Sequence, residues 1–315
     1  MKDFPDDRLR YLYESVRLRT MRAASDFLGM APSSISRQIA GLERELGFEV
    51  IEKNRHTLQL TAAGERLVDY YKDRLSQREA LLSDLGDLRD QRTGTISIAI
   101  GKGLVRVVLA QSVAEFTSKY PGVKIEVRSL SSRAVLPEVR DDHAHFGIVM
   151  DVPSDPRVKS RSNFVEPYCL LVAANSELAR LTEVDILDLP KCTMILPEEG
   201  FRVRDLLADY EDREHMSIDV RITASSIQFI ADMVVAGSLV TILPIGCVTD
   251  YIEAGRLVAI PLRNSGLSDA RLEIITRIGR KLPSAALNLI DLIERRLKAH
   301  VKARQLPRDA HVRIN

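Results

Sequence analysis

Apolar positions between residues 20 and 46 follow two helical patterns separated by a short break. Thr20 is suited to cap the first helix, and Gly29 suits the left-handed residue that ends it. Pro32 then suits the first turn of a second helix, because its fixed φ angle is already helical. The apolar residues of the second helix recur every three or four positions and form one stripe: Ile35, Ile39, Leu42 and Leu46. The pattern predicts two helices joined by a tight turn.

The opposite face of the second helix is polar. It offers hydroxyl, guanidinium and amide groups, and the helix has no carboxylate before Glu43. Such groups can enter a major groove of DNA, hydrogen-bond to base edges and contact phosphates, which is typical of a helix-turn-helix. Two amphipathic helices also occur in domains that do not bind DNA. The predicted DNA contacts in this region are Thr20, Arg22, Pro32, Ser33, Ser34, Ser36, Arg37 and Gln38.

The flanking segments favour DNA binding. Residues 6–18 predict a leading helix, and residues 48–60 predict a small hairpin, or wing, with Arg55 and His56 at its tip. A cation at such a tip suits contact with a minor groove or the DNA backbone. The alternative interpretation of Arg55 is an ordinary solvated loop residue.

Residues 62–90 predict one long helix that Thr61 caps, with a length of about 40 Å. An approximate heptad seam follows this helix: Leu67, Tyr71, Arg74, Arg78, Leu81, Leu85 and Leu88. A lone helix with a leucine stripe needs a partner, and a second copy of the chain is the simplest one.

Strand-like and helix-like segments alternate after residue 93, which indicates a parallel α/β sheet. The predicted strands cover 95–101, 123–130, 145–151, 166–174, 192–197, 218–224, 239–244 and 270–278. The predicted helices cover 104–120, 135–142, 202–210, 227–236 and 284–302.

Composition restricts the class of protein. A chain of 315 residues with 45% hydrophobic and 28% charged residues is typical of a globular protein with two or three domains. The formal net charge is only +1, and residues 8–60 hold nine Lys/Arg against six Asp/Glu. No apolar run is long enough for a membrane span and no signal core begins the chain, so we expect a cytoplasmic protein without membrane contact.

The sequence contains few candidates for other chemistry. Its three cysteines, Cys169, Cys192 and Cys247, have no spacing typical of disulfides or zinc, and a redox role stays an open alternative to simple burial. His143 and His145 lack the further ligands that a metal requires. No catalytic triad or carboxylate pair is identifiable, so we expect neither catalysis nor a cofactor.

The segment AASDFLGMAPSSISRQIAGLERELGFEVIEKNRHTLQLTAAGERL resembles the LysR-type transcriptional regulators. Weaker similarity lies in GTISIAIG, FTSKYPGVKIEV and MVVAGSLVTILP. The resemblance implies an α-helical winged helix-turn-helix domain (1–61), a long dimerising linker helix (62–92) and a two-lobed α/β effector-binding domain (93–315) like type 2 periplasmic binding proteins. Lobe I would cover about 93–165 and 267–303, and lobe II about 166–266.

The resemblance also implies partners and roles. Ser36 and Arg37 match the Ser-Arg pair with which the family reads bases and phosphate. The implied partners are double-stranded DNA, a small-molecule effector, the transcription machinery and further copies of the chain, as a homodimer or a homotetramer.

The effector cleft of such a fold lies where strands end and helices begin. Serines there can hydrogen-bond a carboxylate and basic residues supply charge, so we predict an anionic or polar effector. The alternative for each serine is a simple helix cap. The predicted effector contacts are Gly101, Lys102, Ser131, Ser132, Arg202, Ser225 and Ser226.

The sequence therefore predicts a sequence-specific DNA-binding transcriptional regulator controlled by a small molecule bound between two lobes. One alternative is a small-molecule binding or transport protein without a role on DNA. Another is an enzyme built on the same two lobes.

Overall fold

A computed structural model describes residues 6–52, 58–87, 93–104, 110–263 and 266–305. Its internal contacts divide the chain into two compact units. One unit comprises Met1–Leu82 with Gly279–Leu282, and the other comprises Ser83–Ile278 with Pro283–Asn315. Among the described residues, no helix has both the length and the apolar character that crossing a bilayer requires.

The regular elements of the described residues alternate as expected for a helical domain followed by an α/β region. The α-helices are α1 (Asp6–Arg17), α2 (Met21–Leu28), α3 (Pro32–Leu46), α4 (Ala62–Asp87), α5 (Ala110–Lys119), α6 (Ser132–Arg140), α7 (Arg202–Glu214), α8 (Ile227–Ala236), α9 (Thr249–Glu253) and α10 (Ser284–Gln305). The strands are β1 (Gly94–Gly101), β2 (Val123–Leu130), β3 (Phe146–Met150), β4 (Val158–Val165), β5 (Tyr168–Ala173), β6 (Val184–Asp185), β7 (Thr193–Pro197), β8 (Asp219–Ala224), β9 (Thr241–Pro244), β10 (Leu257–Arg263) and β11 (Arg271–Arg277).

Local sequence signals form the turn between α2 and α3 as predicted. The Thr20 hydroxyl accepts a hydrogen bond from the Ala23 N–H at 3.0 Å and caps α2. Gly29 ends α2 with a φ of 65°, a left-handed conformation that glycine adopts without steric penalty. Pro32 begins α3. The residues of this segment therefore specify both the end of α2 and the start of α3.

One apolar cluster forms the core of the first unit. Three of the four residues of the predicted stripe of α3 are buried, with Ile35 and Leu42 at 0% exposure and Ile39 at 2%, and Leu46 is partly buried. The cluster also includes Leu9, Leu12, Ala24, Val50 and Val68, which come from α1, α2, the segment after α3, and α4. Burial of this stripe leaves Ser33, Ser36 and Arg37 of α3 exposed to solvent.

The base of the predicted wing is described, and its tip is not. Ile51 bridges Leu60 in antiparallel fashion, and the Glu52 N–H donates to the Gln59 carbonyl at 2.9 Å. Arg55 and His56 lie outside the described residues. The Thr61 hydroxyl accepts the Gly64 N–H at 3.1 Å, which confirms the predicted cap of α4.

The second unit contains two groups of strands, which confirms the predicted two-lobed α/β fold. One sheet has the order β2-β1-β3-β11-β4. The other group consists of the sheet β6-β10-β5-β9 and the strand pair β7-β8. A parallel bridge between Met194 of β7 and Val240, the residue before β9, links the two. The chain thus leaves the first lobe after β4 and returns to it with β11.

The expectation of a parallel sheet is correct for three strands of the first lobe's sheet and wrong for its other two. β1 pairs in parallel with β2 and β3, whereas β11 runs antiparallel to both β3 and β4. In the second lobe, β5 is antiparallel to β9 and β10. The chain returns from the second lobe before β11, which lies between β3 and β4. Because no helical crossover connects β11 to either of these neighbours, a parallel direction is not required.

Three strands, β4, β6 and β10, are absent from the strands that the apolar pattern predicts. β4 lies at the edge of its sheet, and most of its side chains are exposed and polar. Helix bounds also differ, because α6 begins at Ser132 instead of 135 and α7 continues to Glu214 instead of 210. Edge strands and helix ends carry weak apolar patterns, so the sequence marks them poorly.

We expect Gly64→Ala to destabilise the first unit, because a Cβ at Gly64 would lie 2.1 Å from the Val50 carbonyl oxygen. The Val50 backbone cannot move aside as the end of a flexible side chain can. The free energy of unfolding should therefore fall by at least about 2 kcal/mol. Urea unfolding followed by circular dichroism measures this change. The control is Gly237→Ala, whose new methyl meets nothing within 4 Å. Equal stability of Gly64→Ala and the parent protein would contradict the close approach.

Candidate DNA-binding surface and effector cleft

The first turns of α3 present the predicted DNA contacts to solvent. Pro32, Ser33, Ser36 and Arg37 are exposed, and Ser34 is half-buried. No side chain caps the start of α3, since Ala31 occupies the cap position. Uncapped amide groups at a helix N-terminus attract anions such as DNA phosphates.

Arg37 folds back over the first turn of its own helix. Its Nε donates to the Ser33 carbonyl at 3.2 Å, and Nη2 lies 3.4 Å from the Ser34 hydroxyl. A cation beside a helix N-terminus is electrostatically unfavourable, and a neighbouring anion relieves this. The Arg37 guanidinium is therefore suited to a phosphate or an acceptor on a base.

The other predicted contacts of this region have different surroundings. Gln38 is half-buried, and its Oε1 accepts a hydrogen bond from Arg8 Nε at 3.1 Å. Thr20 serves as the cap of α2, and Arg22 is exposed one residue after the helix begins. Of these three residues, Thr20 and Gln38 already have hydrogen-bond partners within the protein.

Glu43, the first carboxylate of α3, has a structural role. Its Oε1 accepts the N–H groups of Val50 at 2.8 Å and Ile51 at 3.3 Å. These bonds fix the start of the wing segment to α3. The carboxylate is thereby kept away from the face that would approach DNA.

The cleft between the two lobes is closed by polar contacts from the segment that begins α7. Lys102 Nζ lies 2.6 Å from Glu198 Oε1, and the Ser132 N–H donates to the Gly200 carbonyl at 3.0 Å. Arg133 forms two hydrogen bonds with Asp205, at 3.0 and 3.2 Å. The remaining cavity is about 20 Å³, enough for about one water molecule.

Three of the predicted effector contacts line this cavity, namely Lys102, Ser132 and Arg202. Gly101, Ser131, Ser225 and Ser226 do not line it. The Ser226 hydroxyl accepts the Phe229 N–H at 3.2 Å and caps α8, as the alternative interpretation of these serines expected.

Sequence reasoning missed several residues of the cleft. Tyr168, Phe201 and Cys247 line the cavity, and Glu198 pairs with Lys102 at its margin. The Glu198-Glu199-Gly200 run directly after β7 is a signal that could have been used, because it places charge at the carboxyl end of a strand. Nothing local marks Tyr168, which lies inside an apolar run.

Burial governs the chemistry of the polar groups in the cleft. Arg202 Nε is buried and has no hydrogen-bond partner among the described residues. Burial is the main cause that raises the pKa of Tyr168 well above its ordinary value of 10.0. The phenol therefore stays protonated and can donate a hydrogen bond. The cleft therefore contains two donors, Arg202 and Tyr168, beside an apolar wall.

Asp151 directly follows β3, and its carboxylate interacts electrostatically with Arg202. Its carboxylate accepts the Arg271 N–H at 2.8 Å, and its backbone has a φ of 45°. Burial raises the pKa of Asp151, and the Arg271 hydrogen bond and the Arg202 charge oppose that increase. Asp151 thus combines a left-handed backbone with a partly desolvated charge directly after Met150, which lines the cavity.

A larger groove of about 410 Å³ lies at the surface of the first lobe, between α5 and α10. Its carboxylates are paired with arginines outside it: Glu115 with Arg296, and Asp291 with Arg161. Residues of the second lobe do not contribute to its lining. This groove therefore lies within one lobe, whereas residues of both lobes line the cleft.

The cysteines and histidines have structural surroundings. Cys169 is buried, as predicted, and burial raises the pKa of the Cys192 thiol. His145 is buried, and its Nδ1 accepts the Ser97 N–H at 2.9 Å. No group of three possible metal ligands occurs within the described part of the chain.

Comparison with known proteins gives matches along most of the chain. Residues 7–65 match the family model of the bacterial regulatory helix-turn-helix protein, lysR family, and residues 89–298 match the LysR substrate binding domain. The regulator BbuR of Bordetella bronchiseptica is 25% identical over 286 residues, covering 91% of this chain and 87% of BbuR. The dual regulator GltC of Bacillus subtilis is 27% identical over 238 residues, covering 75% and 79%.

Solved structures share the fold at low sequence identity. A full-length OxyR variant from Pseudomonas aeruginosa has a TM-score of 0.62 at 18% identity, covering 95% of this chain and 96% of its own. Full-length CbnR in complex with its target DNA has a TM-score of 0.51 at 16% identity, covering 93% and 100%.

We expect Asp151→Asn to change how stability depends on pH. Asparagine tolerates the left-handed backbone and can accept the Arg271 N–H, but it does not ionise. Because the folded-state pKa of Asp151 is raised, the parent protein should lose stability relative to Asp151→Asn as pH rises upward from the ordinary value of 3.8. The effect should be modest, since the carboxyl is only partly buried. Urea unfolding of both proteins at a series of pH values tests this, and a difference that stays constant with pH would contradict it.

Proposed function

The chain belongs to the LysR family of transcriptional regulators, and from this premise we propose which of its residues bind DNA and what it senses. It carries the family's helix-turn-helix and its effector-binding domain. It is therefore a DNA-binding transcriptional regulator controlled by a small molecule. The family model over residues 7–65 leaves no support for a transport protein without a role on DNA. The relatives named above are regulators, and no catalytic function is proposed.

The exposed first turns of α3 are the proposed DNA-reading surface. The observation that carries this proposal is the division of α3 into an apolar stripe, buried at Ile35, Ile39 and Leu42, and a polar face whose first turns contain no carboxylate. Ser36 and Arg37 would contact base edges and phosphate. The flanking contacts would be Thr20, Arg22, Pro32, Ser33, Ser34 and Gln38, with Arg55 and His56 from the wing.

A second copy of the chain is the proposed partner of α4. Leucines in the later half of this helix are strongly exposed: Leu81 at 58%, Leu82 at 58% and Leu85 at 48%. Exposed leucines along one helix are typical of a self-association surface. The earlier seam residues Leu67 and Tyr71 instead pack on the core of the first unit. A dimer, or a tetramer of two dimers, would place several reading helices on one duplex. The domain boundaries at residues 61 and 92 are part of this proposal.

A small organic anion is the proposed effector. Arg202 supplies a buried, unpartnered Nε, and Lys102 and Ser132 lie at the same cavity. The rest of the wall is largely apolar, which suits the body of an organic acid. The anion would replace the Glu198 carboxylate beside Lys102. Because the cavity holds about one water molecule, entry requires the lobes to separate. That movement would change the spacing of the reading helices and hence transcription.

We expect Arg37→Ala to weaken sequence-specific binding by about 1–3 kcal/mol, because a base contact is lost. Fluorescence anisotropy with an operator fragment from a selection experiment, compared with unrelated duplex, measures the change. Arg10→Ala is the control, since Arg10 is an exposed cation on α1 outside the proposed surface. Equal loss for both variants would show that only overall charge matters.

We expect Arg202→Met to reduce affinity for organic acids at least about tenfold, because a charge-assisted hydrogen bond is lost. Isothermal titration calorimetry with a panel of mono- and dicarboxylic acids and their uncharged amides measures binding. Arg204→Met removes the same charge two residues later on α7, at a position that does not line the cavity. Heat from the amides without heat from the acids would contradict an anionic effector.

A further inference from the structure

Arg8 of α1 lies against α3, the helix that carries the proposed DNA-reading surface. Its side chain is only 23% exposed, and its Nε donates a hydrogen bond to Gln38 Oε1 at 3.1 Å. Its Nη1 lies 2.5 Å from Glu45 Oε1, as an ion pair without hydrogen-bond alignment. Two residues of α3, seven positions apart on one helical face, therefore hold the same guanidinium.

Gly41 makes room for this arrangement. It lies on the same face between Gln38 and Glu45, and a Cβ there would be 3.4 Å from Arg8 Cζ and Nη1. An alanine would just reach the guanidinium, whereas any longer side chain would displace it. The Arg8 side chain is thus held between an amide, a carboxylate and the bare backbone of α3.

The contact fixes the orientation of the Gln38 amide. An arginine Nε carries a hydrogen and can only donate, so it can be accepted only by the amide oxygen. A flipped amide would place two donors against each other. The oxygen of Gln38 is therefore directed to α1, and its NH2 group is left for other partners.

We propose that Arg8 is a positioning residue that makes Gln38 a hydrogen-bond donor toward DNA and thereby favours guanine at the base pair that Gln38 meets. The inference rests on the proposed function, in which Gln38 enters the major groove. Arg8 itself does not contact DNA in this proposal, because its charge is paired with Glu45.

The edges of the bases explain the preference. Guanine presents two acceptors in the major groove, N7 and O6, which an NH2 group alone can satisfy. The bidentate contact of glutamine with adenine requires both the NH2 group and a free oxygen. Cytosine offers only a donor and is disfavoured. An amide whose oxygen is engaged by Arg8 therefore discriminates in favour of guanine.

Selection from a randomised duplex library, followed by sequencing, tests the proposal with the full-length protein. Arg8→Met keeps an apolar stem of similar length but has no donor, so the amide of Gln38 becomes free to rotate. We expect the ratio of guanine to adenine at one operator position to fall about tenfold in Arg8→Met. We expect Arg8→Lys, whose ammonium can still donate to the Gln38 oxygen, to retain the guanine preference.

Two controls separate orientation from charge. Glu45→Gln removes the ion pair but leaves the Arg8–Gln38 hydrogen bond, so its base preference should match the parent protein. Arg10→Met removes an exposed cation from the same helix and should not change the preference. The salt dependence of binding should also be unchanged in Arg8→Met, since a lost phosphate contact would lower the slope by about 0.9 per phosphate.

Each remaining outcome decides against the proposal. A reduced salt slope in Arg8→Met would make Arg8 a phosphate contact. An unchanged base preference in both Arg8→Met and Gln38→Ala would mean that Gln38 does not reach a base. The second result leaves the proposed function intact, provided that Arg37→Ala still loses sequence-specific affinity. Circular dichroism of Arg8→Met and Arg8→Lys shows whether the variants remain folded.

Discussion

Burial of one apolar stripe of α3 is the constraint on which DNA recognition by this chain depends. Ile35, Ile39 and Leu42 lie in a cluster with residues of α1, α2 and α4. Each such side chain contributes roughly 1.5–3 kcal/mol when it is fully buried, so the rotation of α3 about its axis is strongly determined. The serines and Arg37 are exposed as a consequence, because they occupy the opposite face. The reading surface is therefore a result of packing behind it.

Charged groups whose partners are already present set the chemistry of both proposed sites. In the first unit, Arg8 engages the oxygen of Gln38 and leaves its NH2 group as the available donor. In the cleft, Glu198 engages Lys102, and Arg202 is left with an unpartnered Nε. A ligand can bind the unpaired groups directly, whereas it must displace a partner such as Glu198 to reach a paired group such as Lys102. The hydrogen bonds and ion pairs formed within the protein therefore limit which ligand groups each proposed site can bind.

The cleft between the two lobes is held closed by a few polar contacts. Contacts from Glu198, Gly200 and Asp205 join the two lobes, and all three belong to one short segment around the start of α7. An effector that displaces this segment shifts the balance between closed and open lobes by its difference in affinity for the two. The pairs are partly exposed, so each contributes little by itself and the balance is easily moved. Such a weakly held closure suits a sensor.

Local signals in the sequence determined the caps and turn of the helix pair, the bounds of α8 and the burial of Cys169. Each of these features depends on residues within a few positions of one another. Tertiary structure alone decided the antiparallel insertion of β11 between β3 and β4, and the pairing of Lys102 with Glu198, which are 96 positions apart. It also decided the orientation of Gln38, which depends on a residue 30 positions earlier. A hydrogen bond requires its two groups to meet within about 3 Å, and only the folded chain brings such distant residues together.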